Sequence, residues 1–67
     1  MKPGDLVRIR PGSPATDGSG PAEVIGEFGV FVNLHAGRQF DPVARVLNDG
    51  RVVYILQRNL ETVNETG

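Results

Sequence analysis

Asp49 and Gly50 constrain this chain more than any other dipeptide, because they separate two apolar runs, residues 43–48 and 51–56. Aspartate and glycine tolerate the positive φ angles of a type I′ turn, whose twist matches that of paired strands. The pattern therefore predicts a β-hairpin with a two-residue loop. Counting outward from the turn, Leu47 faces Val52, Val46 faces Val53, Arg45 faces Tyr54 and Ala44 faces Ile55.

Both faces of this hairpin are apolar. Side chains alternate between the faces of a strand, so we expect one set inside the fold: Ala44, Val46, Val53 and Ile55. The opposite face carries Arg45 together with the apolar side chains of Leu47, Val52, Tyr54 and Leu56. Since a short chain has only one core, we expect this second apolar set to meet another subunit or a ligand, and its four residues are the candidates for an oligomer interface.

Chain length and composition also favour assembly. The chain has 67 residues, no cysteine and one histidine. A domain of this size buries only about 60% of the surface of its unfolded chain, and such domains commonly add disulfides, a metal ion or oligomerisation to a small core. A disulfide is excluded, and His35 alone cannot form a zinc site. We predict no metal, no cofactor and a homo-oligomer, either a ring or another small closed assembly.

Targeting and membrane patterns are missing from the sequence. Residues 1–5 carry no apolar run like that of a signal peptide, and no stretch has the length needed to span a bilayer. We expect one domain over residues 1–63, a frayed tail over 64–67, no membrane association and a cytoplasmic location.

Strand patterns recur along the chain. Residues 6–10 alternate, with Val7 and Ile9 toward the core and Arg8 and Arg10 outward. Residues 11–21 contain three prolines and three glycines, which predict a long irregular loop.

Residues 22–34 permit two interpretations. They form either two strands, 22–26 and 30–34, joined by a reversal, or one bent strand with Gly26 or Gly29 at a bulge. The remaining predicted elements are a polar connection over 35–42, one helical turn over 57–59 and a last strand over 60–63.

Five to six short strands, a long first loop and one short 3-10 turn describe an all-β, strongly bent antiparallel barrel. This order resembles SH3-like barrels, with residues 11–21 as the long first loop, 48–51 as the distal hairpin and 57–59 as the short helical turn. Residues 2–9 also resemble the first strand of KOW-type domains of translation and transcription factors.

Two further resemblances concern assembly and origin. Residues 49–55 resemble the second signature of Sm-like proteins, bent barrels that join edge to edge into rings and bind single-stranded RNA. Both ends of the chain resemble small uncharacterised barrel proteins of marine phages of the cyanophage type, which open on a Gly-Asp strand and close on Leu-Glu-x-Val. The phage resemblance implies a host-cytoplasmic location.

Arginines and aromatic side chains point to nucleic acid. The net charge is −1, so binding must come from local patches. Every basic residue except Lys2 is an arginine, which suits planar contacts. Small barrels bind single strands by stacking bases on aromatic side chains beside cationic groups. The candidate residues for binding single-stranded RNA or DNA are Arg8, Arg10, Arg38, Arg45, Arg51, Arg58 and Tyr54.

The alternative interpretation of these residues is structural. The arginines are then ordinary solvated charges, Arg45 stacks over Tyr54, and Phe31 or Phe40 lies in the core. We favour the core for Phe31 and leave both roles open for Tyr54.

No constellation in the sequence predicts catalysis. His35 has no evident nucleophile or carboxylate relay, so we expect a surface residue, and the glycine-rich loop lacks the Gly-Lys-Ser/Thr ending of a phosphate loop. We predict a non-enzymatic, self-associating barrel that binds single-stranded nucleic acid. One alternative is a protein-interaction or structural module that docks a partner through its apolar outer face. Another is a pore-type enzyme, since residues 53–56 resemble the pore strand of type II dihydrofolate reductase.

Overall fold

The computed structural model describes residues 1–35 and 41–63. It is all-β, with one antiparallel sheet of six strands in the order β2-β5-β4-β3-β1-β6. The strands are β1 Leu6–Ile9, β2 Ala15–Thr16, β3 Phe28–His35, β4 Val43–Asn48, β5 Arg51–Leu56 and β6 Leu60–Thr62, with a 3-10 turn over Gln57–Asn59. The predicted all-β fold class and the predicted helical turn before the last strand are confirmed.

The central hairpin has the predicted register. β4 and β5 pair from Asn48 opposite Arg51 back to Val43 opposite Leu56. Asp49 and Gly50 have φ angles of 52° and 79°, so both residues of the turn are in the left-handed region. This conformation is the one that a type I′ turn requires.

The core is one cluster on one face of the sheet. The predicted inward residues of the hairpin are at most 1% exposed, and Val7, Ile9 and Phe31 join them. Ala15 of β2 and Leu60 of β6 belong to the same cluster although they lie on the two edge strands. The sheet must therefore curve around a single core, with β2 and β6 left as edges.

The chain between β1 and β3 differs from the predictions. The loop 11–21 contains the short strand β2, which pairs with β5, and Thr16 forms an isolated bridge with Pro21. Residues 22–26 are not a strand. Instead β3 is a single long strand whose register shifts between Phe31 and Asn33. Neither predicted glycine is the bulge.

A buried asparagine takes the place of a strand partner for Ile25 in this segment. Asn48 is 2% exposed, and its Oδ1 accepts a hydrogen bond from the Ile25 backbone N–H at 2.9 Å. Its Nδ2 donates to the carbonyls of Ile25 and Phe28 at 2.9 and 3.0 Å. One side chain thus satisfies three backbone groups that a neighbouring strand would otherwise bond.

Gly29 is required by close approach rather than by its backbone angles. A Cβ atom at this position would lie 2.5 Å from Val46 Cγ1 and 2.8 Å from the Leu47 carbonyl oxygen. At Gly29, β3 therefore lies against β4 at a distance that only glycine permits.

Two predicted segments lie outside the described residues. They are residues 36–40, which form most of the expected polar connection, and the expected tail at 64–67. The structure places His35 at the end of β3 rather than in that connection.

We expect Gly29→Ala to lower the free energy of unfolding by about 1–3 kcal/mol, because the added methyl group overpacks the contact with Val46. Gly20→Ala is the matched control, since a Cβ there meets nothing within 4 Å. Urea unfolding followed by circular dichroism measures both variants. Equal stability of the two variants would contradict the close approach of β3 and β4.

We expect Asn48→Ala to cost about 2 kcal/mol or more, because it leaves buried backbone groups of Ile25 and Phe28 unpaired. Hydrogen exchange of the Ile25 amide should accelerate in the same variant. Asn59→Ala is the control, because Asn59 bonds Arg10 through its backbone carbonyl. Unchanged protection of the Ile25 amide in Asn48→Ala would show that the side chain does not hold this segment.

Candidate functional site

The outer face of the sheet carries a cluster of polar and aromatic side chains on three adjacent strands. Asn33 of β3 lies opposite Arg45 of β4, which lies opposite Tyr54 of β5. His35 follows two positions after Asn33 and therefore lies on the same face. We call Asn33, His35, Arg45 and Tyr54 the ring cluster.

The irregularity in β3 builds this cluster. Phe31 pairs with Val46, so in a regular ladder Val32 would face Arg45. The register shift leaves Val32 without a place in the pairing and moves Asn33 opposite Arg45. Bulges commonly re-aim side chains in this way. Asn33 and His35 lie on the outer face because Val32 is inserted in β3 as an extra, unpaired residue.

Arg45 connects all members of the ring cluster. Its Nη1 donates a hydrogen bond to Asn33 Oδ1 at 3.3 Å, and its Nη2 lies 3.0 Å from His35 Nδ1. Its Cζ atom is 5.8 Å from the centre of the Tyr54 ring. The rings of His35 and Tyr54 stack with centroids 5.3 Å apart and planes inclined by 18°. The result is two stacked rings with a guanidinium group fixed beside them.

The first loop supports the ring of Tyr54. Thr16 of β2 lies opposite Tyr54, and the α-carbon of Gly18 approaches so closely that a Cβ there would lie 3.4 Å from Tyr54 Cε2. Asp17 closes the turn over residues 17–20. Its Oδ1 accepts hydrogen bonds from the Ser19 amide, the Ser19 hydroxyl and the Gly20 amide. These bonds, above all that from the Ser19 amide, lower the pKa of Asp17. The turn is therefore fully stabilised at neutral pH and loses this contribution as the pH falls through that pKa.

An uncharged row of side chains lies next to the ring cluster on the same outer face. Leu6, Val30, Leu47 and Val52 are consecutive cross-strand neighbours on β1, β3, β4 and β5. We call these four residues the apolar row. Leu47 and Val52 are 41% and 42% exposed, while Tyr54 and Leu56, the other two predicted interface residues, are half-buried.

The predicted arginines have different surroundings. Arg8 pairs with Glu27 at 3.6 Å, Arg58 pairs with Asp41 at 3.5 Å, and Arg51 donates to the carbonyl of Glu23. Arg10 is exposed at the start of the first loop. Of the predicted binding residues, the structure thus joins Arg45 to Tyr54. Arg38 and the aromatic Phe40 lie outside the described residues.

Within residues 1–35 and 41–63, no three His, Cys, Asp or Glu side chains lie together as a metal site would require. No helix in this part of the chain is long and apolar enough to cross a membrane. His35, the expected surface residue, is exposed, and its partners Arg45 and Tyr54 form neither a nucleophile nor a relay.

The sequence analysis did not predict the structural roles of three residues, Asn33, His35 and Asn48, for different reasons. Asn33 and His35 depend on the irregularity of β3, which no glycine marks. Asn48 could have been found, because it occupies an inward position in the alternation of β4 after Ala44 and Val46. A polar residue at such a position indicates a buried hydrogen-bonding role.

Comparison of the chain with protein-family models, with curated proteins and with solved structures gives no match. The candidate site therefore rests on its geometry.

Proposed function

We propose that this chain is a non-enzymatic small barrel of the SH3-like, Sm-like type that binds single-stranded RNA or DNA on its outer sheet face. The observation that carries the proposal is the ring cluster, in which stacked His35 and Tyr54 rings lie beside the Arg45 guanidinium. Stacked aromatic rings with a neighbouring cation are the elements from which single-strand sites are built.

The proposed barrel type is supported by the strand order. β6 returns to pair with β1 after the 3-10 turn, and β3, β4 and β5 form a meander on the other side of β1. The curvature around one core is the arrangement expected of a small barrel.

Stacking rather than a broad electrostatic field should supply the affinity. The net charge is −1, and Arg8 and Arg58 each lie beside a carboxylate. A base stacked on an aromatic side chain contributes about 1–3 kcal/mol. With few phosphate contacts, the salt dependence should be shallow, because its slope on single strands is about −0.7 per neutralised phosphate.

We expect Tyr54→Leu to weaken binding of a labelled oligouridylate or oligothymidylate by about tenfold or more, because the stacking surface is lost while apolar volume is kept. Fluorescence anisotropy at low salt measures the affinity. Phe28→Leu is the matched control, since Phe28 is an aromatic residue that is 52% exposed but lies outside the ring cluster.

The duplex form of the same oligonucleotide should bind more weakly, because its paired bases cannot stack on the rings. Equal loss of affinity in the Tyr54 and Phe28 variants would contradict the assignment of the site. Absence of binding at low salt would exclude the function.

A second candidate function, self-association, is favoured by the apolar row. It extends over four strands, and it contains two side chains that are more than 40% exposed. Contiguous exposed apolar surface on a small domain commonly marks a protein contact. We propose that a second copy of this chain covers the row. The domain has a small core and no cysteine from which a stabilising disulfide could form, so self-association is the remaining way to add buried apolar surface.

We expect Val52→Glu or Leu47→Glu to reduce the mass in solution to that of the single chain, because a charge in the contact must be desolvated. Light scattering measures the mass, and circular dichroism checks the fold. Ile25→Glu is the control, since Ile25 is 49% exposed and lies outside the row. A wild-type protein that is already a single chain would reject the self-association, leaving a different protein as the occupant.

A further inference from the structure

The contact between Arg45 and His35 depends on the protonation state of the imidazole. Arg45 Nη2 lies 3.0 Å from His35 Nδ1. A guanidinium group has only donors, so Nδ1 must offer its lone pair. The contact is therefore a hydrogen bond only when His35 is neutral and carries its proton on Nε2.

We propose that protonation of His35 controls whether the Arg45 guanidinium is free to bind a phosphate group. We call this coupling the gate. Addition of a proton at Nδ1 removes the acceptor of the hydrogen bond and leaves two cations next to each other. The guanidinium is then released from the imidazole and becomes available to a phosphate group. The regulatory consequence rests on the proposed binding of single-stranded nucleic acid to the ring cluster.

Among the described residues, no acidic side chain is placed to offset the charge that His35 gains on protonation. Arg45 is the charged group that faces it from β4, and the uncharged Tyr54 faces it from β5. Asp41, on the segment entering β4, is paired with Arg58, and Asp17 of the first loop accepts bonds from its own turn. Protonation therefore adds a net positive charge to the site.

The direction of the effect on binding follows from this charge. Histidine side chains change charge between about pH 5 and pH 8. A nucleic-acid strand is anionic and prefers the protonated site, and a histidinium can still stack on the Tyr54 ring as a cation. Affinity should therefore rise as the pH falls, by at most about tenfold per pH unit because one proton is taken up.

The gate can be observed first in the free protein. Tyr54 is the only tyrosine and the chain has no tryptophan, so the intrinsic fluorescence reports this site alone. As the pH is lowered, the wild-type signal should change along a one-proton curve. In His35→Phe, which keeps an aromatic ring but cannot titrate, the signal should stay constant. A constant signal in the wild type, or the same curve in His35→Phe, overturns the gate.

The same variants then test the coupling to binding of labelled oligouridylate. Wild-type affinity should rise toward low pH, while that of His35→Phe should not change. Arg45→Met should keep part of the dependence, because the imidazole still gains a charge but has no guanidinium to release. Wild-type binding that is equal at both ends of the range overturns the gate and leaves the proposed function intact. No binding at any pH overturns the proposed function and with it the regulatory role of His35.

Discussion

The pairing of β4 with β5 across the turn at Asp49 and Gly50 determines both surfaces of the sheet. The left-handed angles of these two residues allow a single register. A shift by one residue would exchange the buried and exposed faces of each strand. That register brings Val46 and Val53 into the core, and on the other side it brings Arg45 next to Tyr54. The core and the candidate site are therefore two results of one turn.

Two local contacts bring the backbone of other segments close to this hairpin. At Gly29 the chain of β3 approaches Val46 at a distance that excludes a side chain. At Asn48 a buried amide replaces a strand as the partner of residues 25 and 28. Both contacts lie at the turn end of β4. Ala22 and Val24, in the segment that Asn48 holds, pack against the core although residues 22–26 belong to none of the described strands.

Much of the fold could be predicted because its signals are local. The hairpin register, the inward residues of β1 and the 3-10 turn all follow from residues close together in the chain. The position of Phe31 in the core was also predicted, whereas the contact of Arg45 with the Tyr54 ring is one of two roles that the sequence left open for Tyr54. Residues 22–26 were wrongly predicted as a strand, because their apolar character comes from packing of Ala22 and Val24 against the core. The hydrogen bonds of Ile25 in this segment come from Asn48, a side chain more than twenty positions away.

The ring cluster was only half predictable for a related reason. Arg45 and Tyr54 follow from the hairpin register, whereas Asn33 and His35 reach them only through the irregular pairing of β3. No glycine or proline marks that irregularity, so the residue pattern of β3 does not reveal it.

The position of Asn48 also connects the hairpin to a distant part of the chain. The β4–β5 hairpin closes over two residues, so it forms at a low entropic cost, whereas the bonds to Ile25 span 23 positions. The segment between β2 and β3 is therefore held through a side chain of the hairpin, and a change that loosens the hairpin at Asn48 also loosens that segment.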